Sequence, residues 1–364
     1  MADIAVIGAG YVGLTTGTCL AHLGHNVTIA DIDEIKVQEL TKGEVPIFEP
    51  GLLELLNEGI KNGNLKFVVG AVSASRNAAF HFLCLPTPPN PDGSTNMEYF
   101  SSAIEEIKDI LPPNSVIVNK STLPVGTASQ LKKQIQRTDV EIVSNPEFLS
   151  EGNAVQDFLH PSRIVIGAES QEAATRVAAL FSDIDATTQI TGTESAELIK
   201  HTANAFLAMK LTFINEIATL CELVGANVLD VAEGIGYDPR IGSTYLRPGP
   251  GWGGSCFPKD SASLLQTANK AGFDFELLEK AITLNQTHLQ RTAQKVIDAL
   301  PEGKEIEKSK IAVLGLTFKA GTDDLRSSPS LAVIEYLLDL NAHVSAYDPM
   351  VNLPIEDMSK IEIT

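Results

Sequence analysis

Apolar residues recur along this chain in short runs, separated by longer stretches of helical period. Residues 3–7 (DIAVI) form one run; 27–30, 80–85 (FHFLCL), 115–120 (SVIVNK), 141–145 (EIVSN) and 163–167 (RIVIG) form others. Runs this short, bounded by turn residues, read as strands. After the first, helical spacing continues to Leu23, and Gly24 stands where a left-handed cap belongs. Strands alternating with helices predict βαβ units and a doubly wound, parallel, Rossmann-like sheet over residues 1–190. The pattern then changes. Thr191 and Glu194 have capping-box spacing, and neither Pro nor Gly follows until after Leu223. This predicts a helix of about 30 residues, longer than the usual 8–20, of the kind that joins domains or builds a subunit interface. Residues 226–300 read as mostly helical, interrupted by a glycine-rich loop at 248–254, so 191–300 form a central helical and dimerisation domain. Alternation restarts with a strand at 310–316, a helix at 330–340 and a strand at 343–349, predicting an incomplete second Rossmann-like domain over 301–364. The two strand–turn starts, IAVIGAG and IAVLGLT, hint at an ancient repeat.

Composition narrows the class. The 364 residues are 44% hydrophobic and 20% charged, as in soluble globular proteins. No apolar run approaches the roughly 20 residues that span a bilayer, and MADIAVIGAGYVG lacks the basic region and cleavage site of a signal peptide. A net charge of −19 repels nucleic acid and anionic membranes. An anionic small ligand must then be held locally, by helix N-termini, backbone N–H groups and a few placed Lys or Arg. Four scattered cysteines with no CxxC pair argue against a disulfide framework or a metal site and fit a reducing cytoplasm.

The first turn carries candidate cofactor chemistry. Gly8, Gly10 and Gly13, with Tyr11 and Val12 between the last two, fit GxGxxG directly after a strand and at a helix start. Gly8 makes the tight turn, Gly10 admits a pyrophosphate to the backbone, and Gly13 lets helix and strand pack closely. Asp31 closes the second strand, 18 residues after Gly13, where a carboxylate accepts from ribose hydroxyls and repels a 2′-phosphate. This points to NAD rather than NADP, with nearby Lys36 the opposing feature; a merely structural glycine turn is the alternative. Thr87, in LCLPTPP after another strand end, is either a cofactor contact or part of a rigid turn.

The loop PGPGWGGSCFPKD (248–260) carries candidate covalent chemistry. Gly253 and Gly254 allow close backbone approach to a ligand, and Lys259 beside Cys256 would favour the thiolate. Cys19, Cys84 and Cys221 sit in apolar patterns and read as inert buried thiols. Lys200 and Asn204 share a face of the long helix at i and i+4, amid apolar neighbours; a site is one reading and a snorkelling lysine the other. Glu147 and Glu151, in SNPEFLSEGN after a strand end, are placed for a general base or are solvated carboxylates. Lys120-Ser121-Thr122 ends the preceding strand at the same edge.

These segments together resemble the UDP-glucose 6-dehydrogenase family, within the wider UDP-glucose/GDP-mannose dehydrogenases. The matching stretches are GAGYVGL, KSTLPVGT, NPEFLSEGNAVQDF, ELIKHTANAFLAMKLTFINEIA, RIGSTYLRPGPGWGGSCFPKD and LGLTFKAGTDDLRSSP, in family order to about residue 350. The resemblance implies a four-electron oxidation of UDP-glucose with two NAD+ per sugar. It assigns Cys256 as nucleophile, Lys200, Asn204 and Asp260 to proton transfer and oxyanion stabilisation, and Glu147, positioned by Thr122, as the base for thioester hydrolysis. It implies NAD contacts from Thr122, Glu151 and Arg326. Glu147, Phe148, Leu149, Lys200, Asn204, Tyr245, Arg247, Gly253, Phe257, Phe318 and Lys319 would line the nucleotide-sugar site. Arg240 would reach into a neighbouring subunit's site, making a homodimer. Relatives continue for some tens of residues past position 364 and contribute a further Arg, so the resemblance sets weaker uridine affinity as an expectation. GDP-mannose and UDP-N-acetylmannosamine dehydrogenases share the chemistry; a silent nucleotide-binding protein or inactive fragment is the alternative of another class.

Overall fold

The computed structural model describes residues 1–351 and the backbone of Glu362–Ile363; residues 352–361 and Thr364, part of the expected third domain, lie outside the described residues. The chain divides into two compact units, residues 1–201 and 202–364.

The first unit is built on eight strands: β1 (Asp3–Ile7), β2 (Asn26–Asp31), β3 (Leu65–Val69), β4 (Phe80–Leu83), β5 (Val116–Asn119), β6 (Glu141–Ser144), β7 (Arg163–Ala168) and β8 (Thr187–Thr191). Their order in the sheet is β3-β2-β1-β4-β5-β6-β7-β8. The first six follow the 3-2-1-4-5-6 order of dinucleotide-binding folds, with the reversal of direction between β1 and β4. Central strands are apolar on both faces because helices cover both. In β1, Ile4 and Val6 join the larger core cluster, whereas Ile7 faces a second, with Leu83, Phe100, Ile104 and Ile117. Each such fully buried side chain contributes about 1.5–3 kcal/mol of transfer free energy.

The structure departs from the sequence reading in three places here. The sheet is mostly, not wholly, parallel: β7 pairs antiparallel with β6, Val143 opposite Ala168. The connection between them holds only the short helix Ala154–Leu159, whereas a parallel return needs a full crossover. β8 went unread because it is an exposed edge of Thr and Gln with no apolar run. Its last residue is Thr191, so the expected capping box does not form; the long helix is Thr193–Val224, 32 residues. Gly24 does close the first helix, Tyr11–His22, at φ +87°, and His25 N–H returns to Leu20 O at 3.2 Å.

The second unit holds the remainder of the long helix and the helices Val228–Gly236, Phe257–Lys270 and Glu276–Asp298. Strands β9 (Lys310–Leu314), β10 (His343–Tyr347) and β11 (Glu362–Ile363) form a parallel sheet in the order β11-β10-β9. The helix Pro329–Asp339 packs Val333, Ile334 and Leu337 into a core with Val344 and Ala346. Ser328 caps that helix, its hydroxyl accepting from Leu331 N–H.

Candidate active site

In the first unit the glycine turn is shaped for a dinucleotide. Gly8 has φ +102°, and a β-carbon there would stand 2.4 Å from Cys84 O. A β-carbon on Gly13 would meet Gly8 O at 1.8 Å, so the helix can start against the strand only without one. Gly10 is exposed with open space beside it, the approach a pyrophosphate needs at the N-terminus of Tyr11–His22. Asp31 Oδ2 accepts from Ala9 N–H at 2.9 Å and Oδ1 from Asp33 N–H at 3.1 Å, with Lys36 Nζ 3.3 Å away. Burial pushes the Asp31 carboxyl up, but the two N–H donors and the ammonium outweigh it and hold its pKa below the ordinary value. Lys36, the residue that favoured a 2′-phosphate, is therefore engaged by Asp31. These residues fit NAD: open backbone at Gly10 and a fixed carboxylate at the end of β2. Thr87 is buried.

Tyr11 carries a contact that the sequence reading missed. Its hydroxyl donates to Glu49. Glu49 is buried and also accepts from Gly152 N–H at 2.8 Å and Ala154 N–H at 2.7 Å. Burial, and then the Glu49 carboxylate, push the Tyr11 phenol far up. One carboxylate thus fixes the Tyr11 ring and the loop after Glu151. Only the turn residues Pro50 and Gly51 beside Glu49 marked the segment, and they give no hint of a partner 103 residues away.

The C-terminal edge of β5 and β6 gathers buried charge. Glu147 is 6% exposed and Lys200 3%; Lys200 Nζ donates to Glu147 Oε1 at 2.9 Å, and Leu149 N–H to Oε2 at 2.5 Å. Lys200 is therefore a buried ion-paired group and not a snorkelling one. Phe148 lies under two cations, with the Arg163 guanidinium 3.8 Å and Lys200 Nζ 5.5 Å from its centroid. Lys120 is 5% exposed and donates to Asn145 Oδ1 at 3.1 Å. Burial drives its pKa down to about 8, against the opposing pull of Glu147. Thr122 is half-buried and lines a cavity of about 10 Å³ with Asn119, Ser144, Glu197 and Lys200. Glu197 accepts from Gly126 N–H (2.6 Å), Ala128 N–H (3.0 Å) and the Ser144 hydroxyl (3.2 Å), tying the segment after Thr122 to the helix that bears Lys200. Glu151 is half-buried.

In the second unit Cys256 is the N-cap of the 14-residue helix Phe257–Lys270 and is half-buried, with Ser255 Oγ 3.5 Å from its sulfur. A helix N-terminus favours a thiolate. Cys19, Cys84 and Cys221 are buried, and burial pushes the Cys19 and Cys84 thiols up to about 12. One turn beyond Cys256, Asp260 is fully buried; it accepts from Asn204 Nδ2 at 2.6 Å and from Lys259 Nζ at 2.6 Å. The Lys259 charge is thus committed to a carboxylate rather than held for the thiol alone.

The loop before Cys256 is pinned from both sides. Trp252 is buried, its indole N–H donating to Thr212 Oγ1 at 2.8 Å, and Asn285 pairs with its backbone N–H and C=O at 2.9 Å each. The glycines let the loop pack closely against its neighbours. A β-carbon on Gly253 would lie 1.8 Å from Ser327 O, and one on Gly254 2.7 Å from the Phe318 ring. Tyr245 takes φ +62°, and its ring meets that of Phe257 tilted at 54°, centroids 6.0 Å apart. Arg247 and Lys319 are exposed. Arg240 and Arg326 are exposed and each pairs within its own turn, with Asp238 at 2.5 Å and Asp324 at 2.6 Å.

The strand–glycine–helix cradle for NAD defines the class as an NAD-dependent dehydrogenase; the first unit also holds the buried Lys–Glu pair, and the second a cysteine at a helix N-terminus. Models of the UDP-glucose/GDP-mannose dehydrogenase family match in all three parts: the NAD binding domain over residues 2–185, the central domain over 194–287 and the UDP binding domain over 312–363. The chain belongs to this family. It is 47% identical to the UDP-glucose 6-dehydrogenase of Rhizobium meliloti, covering 95% of this chain and 81% of that protein. It is 44% identical to UDP-glucose 6-dehydrogenase TuaD of Bacillus subtilis, covering 96% and 76%. Among solved structures, a UDP-glucose dehydrogenase from Pyrobaculum islandicum superposes with a TM-score of 0.90 at 35% identity, over 96% of this chain and 82% of that one. A UDP-D-ManNAc dehydrogenase from Pyrococcus horikoshii gives 0.89 at 28% identity, over 99% and 88%.

Proposed function

We propose that this chain catalyses the NAD-dependent, four-electron oxidation of UDP-glucose to UDP-glucuronate. The observation that carries the reading is Cys256, half-exposed at a helix N-terminus, with the buried Asp260–Asn204 pair one turn away. A single alcohol-to-carbonyl oxidation needs no nucleophile; oxidation to the acid gains one, because the aldehyde is held covalently. The glucose branch is favoured because the relatives of 38–47% identity bear that name, whereas the structures acting on N-acetylmannosamine or GDP-mannose share 27–30%.

NAD+, when bound against Gly8, Gly10, Tyr11, Val12, Gly13 and Asp31, with Thr87, Thr122, Glu151 and Arg326 as further contacts, supplies the acceptor for each oxidation. Lys200 stabilises the alkoxide that develops at the sugar's C6, and Asp260 with Asn204 holds an ordered water that takes the hydroxyl proton. The Cys256 thiolate adds to the aldehyde carbon to give a thiohemiacetal, and the second oxidation leaves a thioester. Glu147 takes a proton from water as its oxygen bonds to the acyl carbon and the C–S bond breaks, returning the electron pair to sulfur. Phe148, Leu149, Tyr245, Arg247, Gly253, Phe257, Phe318 and Lys319 hold the nucleotide-sugar.

Phe206, Phe213 and Leu220 repeat at seven-residue intervals on the long helix and are 58%, 55% and 51% exposed, which supports a homodimer through that stripe. Arg240, unburied by its own subunit, would then serve the neighbour. No helix among the described residues is long and apolar enough to cross a membrane, and the free thiols fit a reducing cytoplasm. The test is NADH formed per UDP-glucose consumed, for wild type and Cys256→Ser. A ratio of two that falls with the substitution is the expected result; uronate formed by Cys256→Ser at the wild-type rate sinks the covalent step.

A further inference from the structure

The charge cluster at the ends of β5 and β6 contains a group that the reaction scheme leaves unused. Lys120 follows β5 directly and is buried. Its ammonium is met by neutral groups: Asn145 Oδ1 at 3.1 Å and the faces of Phe158 and Phe181, at 5.7 Å and 5.8 Å. Asn145 is itself fixed, its amide donating to Val165 O at 2.8 Å. Taking an ammonium out of water against neutral partners is costly, and a methionine of similar length would fill the same space without that cost. A structural role therefore does not account for the charge.

Lys120 lines a cavity of about 40 Å³ together with Glu147, Asp157 and Arg163. That is room for more than one water; the wall is mostly apolar, and Lys120, Asn145, Glu147, Asp157 and Arg163 supply the polar atoms that such waters require. The charged groups around Lys120 are Glu147, which attracts its proton, Lys200, which repels it, and Asp157 and Arg163, which line the same cavity; Cys84, close by, is a buried thiol held neutral by its surroundings. Glu147 thus has two ammoniums near it. One, Lys200, touches it directly and is the group assigned to the oxyanion of the oxidation steps.

We infer that Lys120 is a positioning residue for the hydrolytic half of the reaction, holding Glu147 as a carboxylate through the waters of this cavity. The inference rests on the proposed function. When Lys200 turns to the sugar oxygen, Glu147 loses its contact cation, and the second ammonium keeps it ionised in a buried site. In the step it serves, the attacking water gives its proton to Glu147, its oxygen bonds to the acyl carbon, and the C–S electron pair returns to Cys256. The proton then leaves Glu147 through the cavity water.

The test compares wild type, Lys120→Met and Lys120→Arg with UDP-glucose and NAD+ in rapid-mix and steady-state assays. For Lys120→Met the expected result is a burst of two NADH per site at the wild-type rate, then turnover roughly tenfold slower, the scale of one general-base contribution at its low end. An acyl adduct on Cys256 should accumulate in the intact-protein mass, and the acid limb of the kcat–pH profile should move to higher pH. Lys120→Arg should keep turnover and stay active above pH 8, where wild type declines; this arm stands by itself if the Met variant does not fold. Wild-type turnover and pH profile in Lys120→Met, loss of the burst in step with turnover, or an unmoved alkaline limb in Lys120→Arg would each overturn the inference. A wild type that makes no NADH from UDP-glucose removes the functional reading instead.

Discussion

The turns after β1, in the first unit, and after β9, in the second, share one design put to different uses. At β1, Gly8 N–H bonds Ala30 O at 2.8 Å, and Ala9 N–H bonds the carboxylate that ends β2, Asp31, at 2.9 Å. At β9, Gly315 N–H bonds Tyr347 O at 2.8 Å, and Leu316 N–H bonds the carboxylate just past β10, Asp348, at 2.7 Å. Both glycines have positive φ, +102° and +97°. The hinted repeat is therefore a repeated hydrogen-bond motif. Past the glycine the two turns diverge. After Gly8 the helix begins at once, at Tyr11, leaving only backbone facing a ligand. After Gly315 the helix waits until Pro329, and the interval is filled by side chains, Phe318 against Gly254 and Lys319 at the surface. The first turn suits a pyrophosphate lying on the backbone; the second presents an aromatic face and an ammonium.

Substitutions can separate these uses. The largest effect belongs to Gly13→Ala: its β-carbon would overlap Gly8 O, so NAD binding by calorimetry should fall by two orders of magnitude or more, about 3 kcal/mol, within the cost of core overpacking. Retained NAD affinity would mean that the first turn is merely structural. Next is Asp31→Ala, which removes an acceptor of two backbone N–H groups; NAD affinity should drop about tenfold to a hundredfold, while Asp348→Ala leaves it unchanged. Equal losses from both would erase the distinction. Lys319→Ala should raise the KM for UDP-glucose about tenfold, the worth of one charge-assisted contact, with the NAD constant unmoved. The smallest effect is at Gly315→Ala, where no atom lies within 4 Å of the added carbon; only the positive φ opposes it, lowering stability by about 1 kcal/mol in a thermal melt.

Acid should act on both turns alike. For Asp348 too, burial raises the pKa but the N–H groups of Leu316, Met350 and Thr317 outweigh it and hold it below its ordinary value. A carboxyl whose folded pKa is depressed contributes stability that is complete above its unfolded value, near 3.9, and is lost as pH falls through the lower folded value. Melting temperature should therefore fall in that window, and less steeply in the Asp31→Ala, Asp348→Ala double variant. Parallel slopes would show that these contacts do not stabilise the folded state.

Much of the site was legible because it is local. GAGYVG fixes turn, strand and helix within a few residues, and Asp31 comes at a distance set by one βα unit. GGSCFPKD places a cysteine one turn before an aspartate at a helix start. Lys200 and Asn204 declare a shared face through their spacing. The parts that escaped are those whose partners are remote. Glu49 meets Tyr11 and the backbone at 152 and 154 only when three segments converge. Lys120 stood in a noted motif, but its burial comes from Phe158 and Phe181. Gly253 and Gly254 were singled out for backbone approach, but sequence cannot show that Ser327 and Phe318 pack against them.

The sequence by itself determined the strand–turn–helix starts and the order of elements, because dihedral limits and hydrophobic period act over a few residues. Only the tertiary structure decided which charges are buried and with whom. Desolvation and ion pairing depend on every atom within several ångströms, and those atoms come from strands and helices far apart in the chain. The Lys200–Glu147 pair, the burial of Lys120 against Asn145, Phe158 and Phe181 and the engagement of Lys36 by Asp31 are all of this kind.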